Sequence, residues 1–187
     1  MIGQQAPLVK VIIAGASQVG KTSLIHNYVF EEFIEVSPTI GINFAQKIGL
    51  GVKGPLNLSI WDLSGENRFQ FLMPQFCSGA IGVILVCDLT RPATLEEAIV
   101  WLDIVHQCAH PSHHKAVILA GNKADLMPRI TDTEVHQFCK GYEIAGYIEC
   151  SAKTGRNVDQ LFERLCSVIQ NSLPEFCQPP RQYTQVL

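Results

Sequence analysis

The sequence LVKVIIAGASQVGKT, residues 8–22, opens with an apolar run and closes with a glycine-rich turn. Residues 8–14 are mostly aliphatic and β-branched, and such a short run ending at a glycine predicts a buried strand. Residues 15–22 fit the pattern G-x-x-x-x-G-K-[ST], and a helical stretch over residues 21–30 follows them. A strand, a glycine-rich turn and a helix in this order are the setting of a loop that binds phosphate groups.

The residue types in this turn suit phosphate chemistry. Glycines allow the backbone to wrap its N–H groups around a phosphate, and the helix N-terminus adds partial positive charge. Lys21 supplies a point charge for the terminal phosphates, and the hydroxyl of Thr22 is a ligand for Mg²⁺. The alternative is a glycine-rich turn that binds nothing, which the flanking strand and helix disfavour.

The rest of the chain alternates predicted strands with predicted helices. Residues 43–50 and 56–61 predict an antiparallel hairpin with a longer turn at residues 51–55. Further strands are predicted at residues 81–87, 115–120 and 147–150, and helices at residues 93–109, 131–144 and 158–172, the last capped by Asn157. This order predicts one α/β domain, with a mostly parallel sheet, one antiparallel edge strand and helices on both faces.

Composition limits the functional class. The chain has 187 residues, 47% of them hydrophobic and 17% charged, which suits one folded domain. The net charge is −3 without a basic block, so we expect no nucleic-acid partner and no electrostatic attachment to anionic membranes. Seven scattered cysteines, with no CxxC pair, indicate reduced thiols in a cytoplasmic protein.

A second motif, NKAD at residues 122–125, follows the predicted strand KAVILA. The carboxylate of Asp125 can accept two hydrogen bonds from the N1–H and the exocyclic amine of guanine. Adenine lacks this donor pair, so a buried acceptor pair would reject it. SAK, at residues 151–153, follows the next strand, where a backbone N–H can reach the guanine O6. The alternative for NKAD is a helix start with ordinary surface charges.

Taken together, GASQVGKTS, PTIG (residues 38–41), WDLSG (61–65), NKAD and SAK resemble, in order and spacing, the motifs of Ras-superfamily small GTPases. SPTIGINF followed by WDLSGENRF is most similar to the Rab branch. The resemblance covers residues 8–172 and implies the P-loop NTPase fold, with three layers and a six-stranded sheet. We predict a GTPase domain at residues 1–172 and a flexible tail at residues 173–187, because the chain turns more polar after Leu173 and Pro174, Pro179 and Pro180 interrupt any helix.

The resemblance implies a set of roles. Thr39 would hold Mg²⁺ and the γ-phosphate, Asp62 would hold Mg²⁺ through water, and the N–H of Gly65 would bind the γ-phosphate. Phe33 matches an aromatic that packs on the guanine edge, or it is plain core packing. The catalytic residues would be Glu66, Lys21 and Thr39, and the metal ligands Thr22, Thr39 and Asp62. The nucleotide-binding residues would be Gly15, Ser17, Gln18, Val19, Gly20, Lys21, Thr22, Ser23, Phe33, Thr39, Gly65, Asn122, Lys123, Asp125, Leu126, Ser151, Ala152 and Lys153.

Glu66 departs from the family pattern, which has glutamine after the DxxG glycine. A glutamine amide orients the attacking water, whereas an ionised carboxylate only accepts hydrogen bonds. It would also lie near the anionic γ-phosphate, unless Mg²⁺ or Arg68 compensates. We favour slow hydrolysis and a long-lived GTP state. Two alternatives remain: Glu66 acts as a general base, or it faces solvent while a partner supplies the catalytic group.

Other departures lie in the loops. The segment from Phe33 to Thr39 is shorter than the usual spacing by one residue and lacks an aromatic over the phosphates. Ser17 and Gln18 replace glycines found in Ras, and we expect the side chain of Gln18 to face solvent. The cluster Cys108, His110, His113 and His114 has no recognised zinc spacing, so a metal site there is disfavoured. Phe44, Trp61 and Phe76 match an aromatic triad that Rab effectors contact, or they are ordinary packing.

The end of the chain, QYTQVL, has neither a CaaX box nor a double cysteine, so we expect no prenyl anchor. Cys177 is expected to be a free thiol, and any membrane role would come through a partner. We therefore predict a monomeric, cytoplasmic GTP/GDP-binding switch that uses Mg²⁺, with an effector, an exchange factor and a GTPase-activating protein as partners. The alternatives are a constitutively GTP-bound interaction module and, disfavoured by NKAD, an ATP-dependent enzyme.

Overall fold

The computed structural model describes residues 6–37, 39–66, 71, 73–107 and 116–172 of the chain. This part contains strands and helices in the order β1 (Leu8–Ala14), α1 (Lys21–Phe30), β2 (Ile42–Gly51), β3 (Gly54–Leu63), α2 (Met73–Cys77), β4 (Gly82–Asp88), α3 (Ala93–Gln107), β5 (Ala116–Asn122), α4 (Asp132–Gly141), β6 (Tyr147–Glu149) and α5 (Val158–Ser172). They form one six-stranded sheet in the order β2-β3-β1-β4-β5-β6. The β2–β3 pair is antiparallel and the other pairs are parallel. The predicted fold class is confirmed.

The central strands are apolar because they are covered on both faces. Every residue of β4 and of β5 is buried, as expected for parallel strands between two helical layers. On one face, Tyr28 of α1 stacks on Phe162 of α5, with ring centroids 3.7 Å apart. On the other face, Trp101 and Leu102 of α3 are part of a second core. Helices on both faces leave the edge where the parallel strands end as the place for ligands.

Several local predictions need correction. The hairpin turn is shorter than predicted, because β2 and β3 pair up to Gly51 and Gly54 and leave two residues between them. Gln170 of α5 holds this turn: its Oε1 accepts from the Lys53 N–H at 2.8 Å, and its Nε2 donates to the Gly54 carbonyl at 2.9 Å. Residue 51 lies against Gln170, since a Cβ there would come within 2.4 Å of Oε1. A distant helix therefore tightens a turn that looked longer in the sequence.

Helix ends also differ from the prediction. Thr131 precedes α4 as its N-cap and forms a capping box with Glu134, rather than being the first helical residue. Asn157 precedes α5 with φ of 58°, but its side-chain amide donates to the Glu149 carbonyl at 2.8 Å. The side chain predicted to cap α5 thus ties the start of that helix to β6. The short helix α2 was not predicted.

Some predictions concern parts of the chain outside the described residues. These are the flexible tail at residues 173–187 with Cys177, the compensating charge of Arg68, and the cluster at residues 108–114. Among the described residues, no three His, Cys, Asp or Glu side chains form a group that could hold a metal ion. In the same part of the chain, no helix has both the length and the apolar character required to cross a membrane. The division into two segments stays a prediction.

Candidate functional site

A cleft of about 360 Å³ opens where β1, β5 and β6 end at one edge of the sheet. Its walls come from the loop after β1 with the first turn of α1, the segment before β2, the loop after β3, the NKAD loop after β5 and the SAK loop after β6. The lining residues are Ser17, Gln18, Gly20, Lys21, Thr22, Ser23, Phe33, Glu35, Val36, Ser37, Thr39, Gly65, Asn122, Lys123, Asp125, Leu126, Ala152 and Lys153. Most of the predicted nucleotide-binding residues are therefore brought together.

The loop at residues 15–20 is shaped by its two glycines. Gly15 has φ of 143°, and a Cβ there would lie 2.3 Å from the Val86 carbonyl oxygen. Gly20 has φ of 95°, and a Cβ there would lie 2.3 Å from Nδ2 of Asn122. Both positions combine a left-handed backbone with a close approach, which explains why the pattern needs glycine there.

Lys21 begins α1 and lies across the inside of this loop. Its Nζ donates to the carbonyls of Gly15 and Ala16 at 2.8 and 2.7 Å. The side chain is buried, and burial lowers the pKa of Lys21 to about 8, although the nearby charge of Asp62 opposes this shift. The ammonium group therefore sits in a site that favours binding of an anion, which would replace the lost hydration.

Oxygen atoms from three separate segments meet beside Lys21. The hydroxyl of Thr22 donates to Asp62 Oδ2 at 2.6 Å, and the hydroxyls of Thr22 and Thr39 are 2.7 Å apart. The Thr39 hydroxyl also donates to Asp62 Oδ2 at 3.4 Å. Burial raises the pKa of Asp62, and the hydrogen bond from Thr22 and the charge of Lys21 oppose this rise. This cluster joins the first turn of α1, the segment before β2 and the end of β3.

The oxygen cluster fits a magnesium ion. The other carboxylate oxygen of Asp62, Oδ1, is buried and has no hydrogen-bond partner among the described residues. An unpaired buried carboxylate oxygen is costly unless a cation or a donor satisfies it. Carboxylate and hydroxyl oxygens are also the ligand types that Mg²⁺ prefers. The three residues Thr22, Thr39 and Asp62 would hold the ion.

Gly65 brings the loop after β3 against the loop after β1. A Cβ at this position would come within 2.5 Å of the Ala16 carbonyl group and of Lys21 Nζ. Glu66 follows directly, and its backbone N–H donates to the Ser64 hydroxyl at 3.4 Å. The acidic residue Glu66 therefore directly follows Gly65, the residue that lies against the buried ammonium group of Lys21.

The opposite end of the cleft is built by Asn122 and Asp125. Asn122 is buried; its Nδ2 donates to the Val19 carbonyl at 2.7 Å, and its Oδ1 accepts from the Ala152 N–H at 3.0 Å. It thus ties three loops together. Asp125 is exposed to the cleft, and its Oδ1 accepts from the Ser151 hydroxyl at 2.6 Å. This bond leaves the carboxylate anchored at one oxygen while it faces the cleft.

Three predicted binding residues lie behind the cleft wall rather than on it: Gly15, Val19 and Ser151. Gly15 packs against β4, Val19 is fully buried, and Ser151 orients Asp125. Phe33, Leu126 and Lys153 line the cleft with exposed side chains. Gln18 is exposed at the cleft rim, in agreement with the expected solvent-facing side chain.

Sequence reasoning missed two groups of residues. Glu35, Val36 and Ser37 line the cleft, although only the shortened length of their segment drew attention to it. Arg91 donates to the Ser17 carbonyl in the loop after β1 and pairs with Asp88, and neither residue belongs to one of the sequence motifs. The contact of Arg91 with Ser17 is visible only in the structure, because no sequence pattern indicates it.

The aromatic residues predicted as an effector surface are placed differently from one another. Phe44 on the edge strand β2 is 75% exposed, so it is not core packing. Trp61 lies opposite Phe44 in the β2–β3 register, and its ring is 6.5 Å from that of Phe76. Lys10 covers the Trp61 ring at 4.0 Å. Ile40, just before β2, is 76% exposed as well, so an apolar surface continues from this segment onto the strand.

Comparisons with known proteins agree with this geometry. The sequence model of the Ras family matches residues 10–171. Ras-related protein Rab-7b from Mus musculus is 40% identical over 161 residues, which cover 84% of this chain and 80% of that protein. Ras-related protein Rab7 from Drosophila melanogaster is 36% identical over 167 residues, covering 87% and 81% respectively. GTP-binding protein ypt4 from Schizosaccharomyces pombe is 36% identical over 169 residues, covering 87% and 71%. The chain belongs to the Ras superfamily of small GTPases, in its Rab branch.

Proposed function

We propose that this chain is a GTP-binding switch that hydrolyses GTP to GDP and phosphate slowly. The slow rate is inferred from the position of Glu66, which directly follows Gly65, the glycine that lies against the phosphate loop and Lys21. The segment at residues 33–39 (switch I) and the segment at residues 62–66 (switch II) would change conformation with the nucleotide and signal to effectors.

The cleft offers complementary partners for each part of a guanine nucleotide. Lys21 and the backbone N–H groups of residues 17–23 would bind the phosphates. Asp125 would accept from the guanine N1–H and amine, and a backbone N–H of the SAK loop other than that of Ala152, which donates to Asn122 Oδ1, would reach O6. Phe33 and Lys153 both line the cleft and would cover the base edge. This arrangement supports guanine over adenine.

Thr22, Thr39 and Asp62 would hold Mg²⁺ when the nucleotide is bound. The ion would supply positive charge to the phosphate oxygens on which negative charge develops during hydrolysis. Thr39 lies on switch I and Asp62 at the start of switch II, so the same cluster connects both segments to the phosphates. Loss of the terminal phosphate would therefore loosen both.

Glu66 makes the hydrolysis slow for two physical reasons. An ionised carboxylate can accept a hydrogen bond from water but cannot donate one to the phosphate. Its negative charge also repels the γ-phosphate: at about 4 Å, two unit charges repel by about 4 kcal/mol in surroundings of intermediate polarity. Part of this repulsion is offset by Lys21, so a slow reaction rather than an absent one follows.

The test is the single-turnover decay of preloaded GTP at saturating Mg²⁺. The parent protein is compared with Glu66→Gln and with Glu163→Gln, a control at an exposed position on α5. We expect Glu66→Gln to hydrolyse GTP about tenfold or more faster, because removal of about 1.4 kcal/mol of repulsion suffices for that factor. Slower hydrolysis in Glu66→Gln would mean that Glu66 is a working catalytic group.

A constitutively GTP-bound interaction module is the second candidate function. The exposed apolar surface at Ile40 and Phe44 favours it, since such a surface beside switch I suits a protein partner. In that case GTP would stay intact on the parent protein, and Glu66→Gln would be equally inactive. Measurable decay in the parent protein excludes this candidate.

An exchange factor and a GTPase-activating protein are the regulators that a slow switch requires, and we propose both as partners. We further propose a cytoplasmic monomer. Nucleotide choice is tested by competition: GTP and GDP should displace a fluorescent guanine nucleotide at concentrations at least a hundredfold lower than ATP, in line with the discrimination that unpaired polar groups impose. A preference for ATP would overturn the proposed function.

A further inference from the structure

Asp88, at the end of β4, is a buried carboxylate that the nucleotide-binding motifs do not include. Its side chain is 1% exposed, yet each oxygen accepts two hydrogen bonds. Oδ1 accepts from the N–H and the hydroxyl of Thr90 at 2.9 and 2.7 Å, and Oδ2 accepts from Arg91 Nε and Lys123 Nζ at 2.9 and 2.7 Å. Burial alone would raise the pKa of Asp88, but the bonds from Lys123 and Thr90 outweigh it and lower the pKa.

The two cations held by Asp88 also bind the phosphate loop. Arg91 Nη2 donates to the Ser17 carbonyl at 3.0 Å, and Lys123 Nζ donates to the Gln18 carbonyl at 3.0 Å. Asp88 thus holds two cations that bind two consecutive carbonyl groups of the loop: Arg91, which does not line the cleft, and Lys123, which does.

Holding these carbonyls also orients the N–H groups of the loop. The peptide bonds of the described residues are trans, and in a trans peptide the C=O and N–H point in opposite directions. The Ser17 carbonyl and the Gln18 N–H belong to one peptide unit. When Arg91 holds that carbonyl on the outer side, the Gln18 N–H is turned toward the cleft.

The loop has a particular need for such support at Gln18. This residue has φ of 63°, in the left-handed region, although it is not a glycine. A non-glycine residue in that region is sterically strained, so the loop has a local tendency to relax. A relaxed loop would turn the peptide unit and remove its N–H from the cleft. The bonds from Arg91 and Lys123 oppose that rotation.

We propose that Arg91 is a positioning residue for the phosphate loop, which turns the Gln18 N–H toward the terminal phosphates of the bound nucleotide. This inference rests on the proposed assignment of the cleft as the nucleotide site. Arg91 is suited to the role because its guanidinium donates from Nε to Asp88 and from Nη2 to Ser17 at the same time. A lysine ammonium is a single point and cannot reproduce this fork.

The test compares Arg91→Met and Arg91→Lys with the parent protein. Arg164→Met is the matched control. Arg164 is exposed on α5 and, like Arg91, donates to a backbone carbonyl, in this case that of Ala145. Affinities for GMP, GDP and a non-hydrolysable GTP analogue are measured by competition against a fluorescent guanine nucleotide. The amide resonances of Gln18 and Val19 are followed by NMR in the GDP-bound protein.

We expect Arg91→Met to bind GDP and the GTP analogue about fivefold to tenfold more weakly, while its affinity for GMP changes less than twofold. Arg91→Lys should retain the pairing with Asp88 but recover only part of the affinity. The Gln18 amide resonance should shift in both variants and stay in place in Arg164→Met.

Two results would overturn the inference. Equal losses for GMP, GDP and the GTP analogue would mean that Arg91 supports the fold alone. Unchanged affinities with an unchanged Gln18 resonance would mean that the loop does not depend on it. If Arg91→Met does not fold, Arg91→Lys and its Gln18 resonance decide the question. A parent protein that binds no guanine nucleotide would instead contradict the proposed function.

Discussion

The side-chain amide of Asn122 donates to the carbonyl oxygen of Val19 at 2.7 Å, across 103 positions of sequence. This bond joins the loop that would select the base to the loop that would bind the phosphates. The carbonyl oxygen of the same amide accepts from the N–H of Ala152 at 3.0 Å. One buried side chain therefore fixes the two ends of the proposed nucleotide cleft relative to each other.

Asn122→Ala should weaken both the fold and the nucleotide site. It leaves two buried backbone groups without their partner, each at a cost of about 1–3 kcal/mol, so we expect the free energy of unfolding to fall by about 3 kcal/mol. GDP should dissociate more than about tenfold faster. Urea unfolding at fixed GDP concentration and GDP release measure the two effects. Asn43→Ala, on the exposed edge of β2, is the control and should change stability by less than about 0.5 kcal/mol.

Removal of Mg²⁺ should accelerate GDP release by about tenfold or more, because the phosphate charge is then less compensated. Asp62→Ala should release GDP rapidly already, and a chelator should add less than twofold to its rate. Asp103→Ala, at an exposed position of α3, should respond to the chelator as the parent protein does. A full chelator response in Asp62→Ala would show that the oxygen cluster is not the metal site.

Gly65→Ala should impair the GTP state in particular. The added methyl group would lie 2.5 Å from Ala16 and Lys21, so the loop has to withdraw from the phosphate end of the cleft. We expect the ratio of GTP-analogue affinity to GDP affinity to fall about tenfold, with little change in melting temperature. Gly141→Ala is the matched control, since no atom lies within 4 Å of a Cβ there. That variant should retain the affinity ratio, and an unchanged ratio in Gly65→Ala would contradict the prediction.

Asp88→Asn should destabilise the protein in a pH-dependent way. Since the folded state lowers the pKa of Asp88 from 3.8, the carboxylate stabilises the fold fully above that value and less as the pH falls below it. We expect a loss of about 2 kcal/mol at pH 7, below the range of about 3–5 kcal/mol for a broken buried ion pair, because both cations are partly exposed.

The measurement is urea unfolding of parent and Asp88→Asn between pH 7 and pH 3. The difference in unfolding free energy should be constant down to about pH 5 and shrink below about pH 4. Asp103→Asn should show no such difference at any pH. A difference that grows toward acidic pH would reverse the sign of the argument.

The sequence by itself determined the fold class, the order of the main elements and most of the cleft. Lys21, Thr22, Asn122 and Asp125 belong to short contiguous motifs placed at the ends of strands. Such motifs can be recognised from the residue types and spacing of a few neighbouring positions. Parallel strands then bring the motifs at their ends to one edge of the sheet. For these residues, the local sequence pattern therefore predicts the position in the cleft that the fold gives them.

Only the tertiary structure decided the contacts that reach across the fold. The hairpin turn is held by Gln170 from α5, Asn157 serves β6 rather than capping its own helix, and Arg91 reaches Ser17 from the loop after β4. No local pattern encodes these partners, because a side chain with several hydrogen-bonding options takes the one that packing brings within reach. Packing depends on the positions of all the elements together, and so it was visible only once they were assembled.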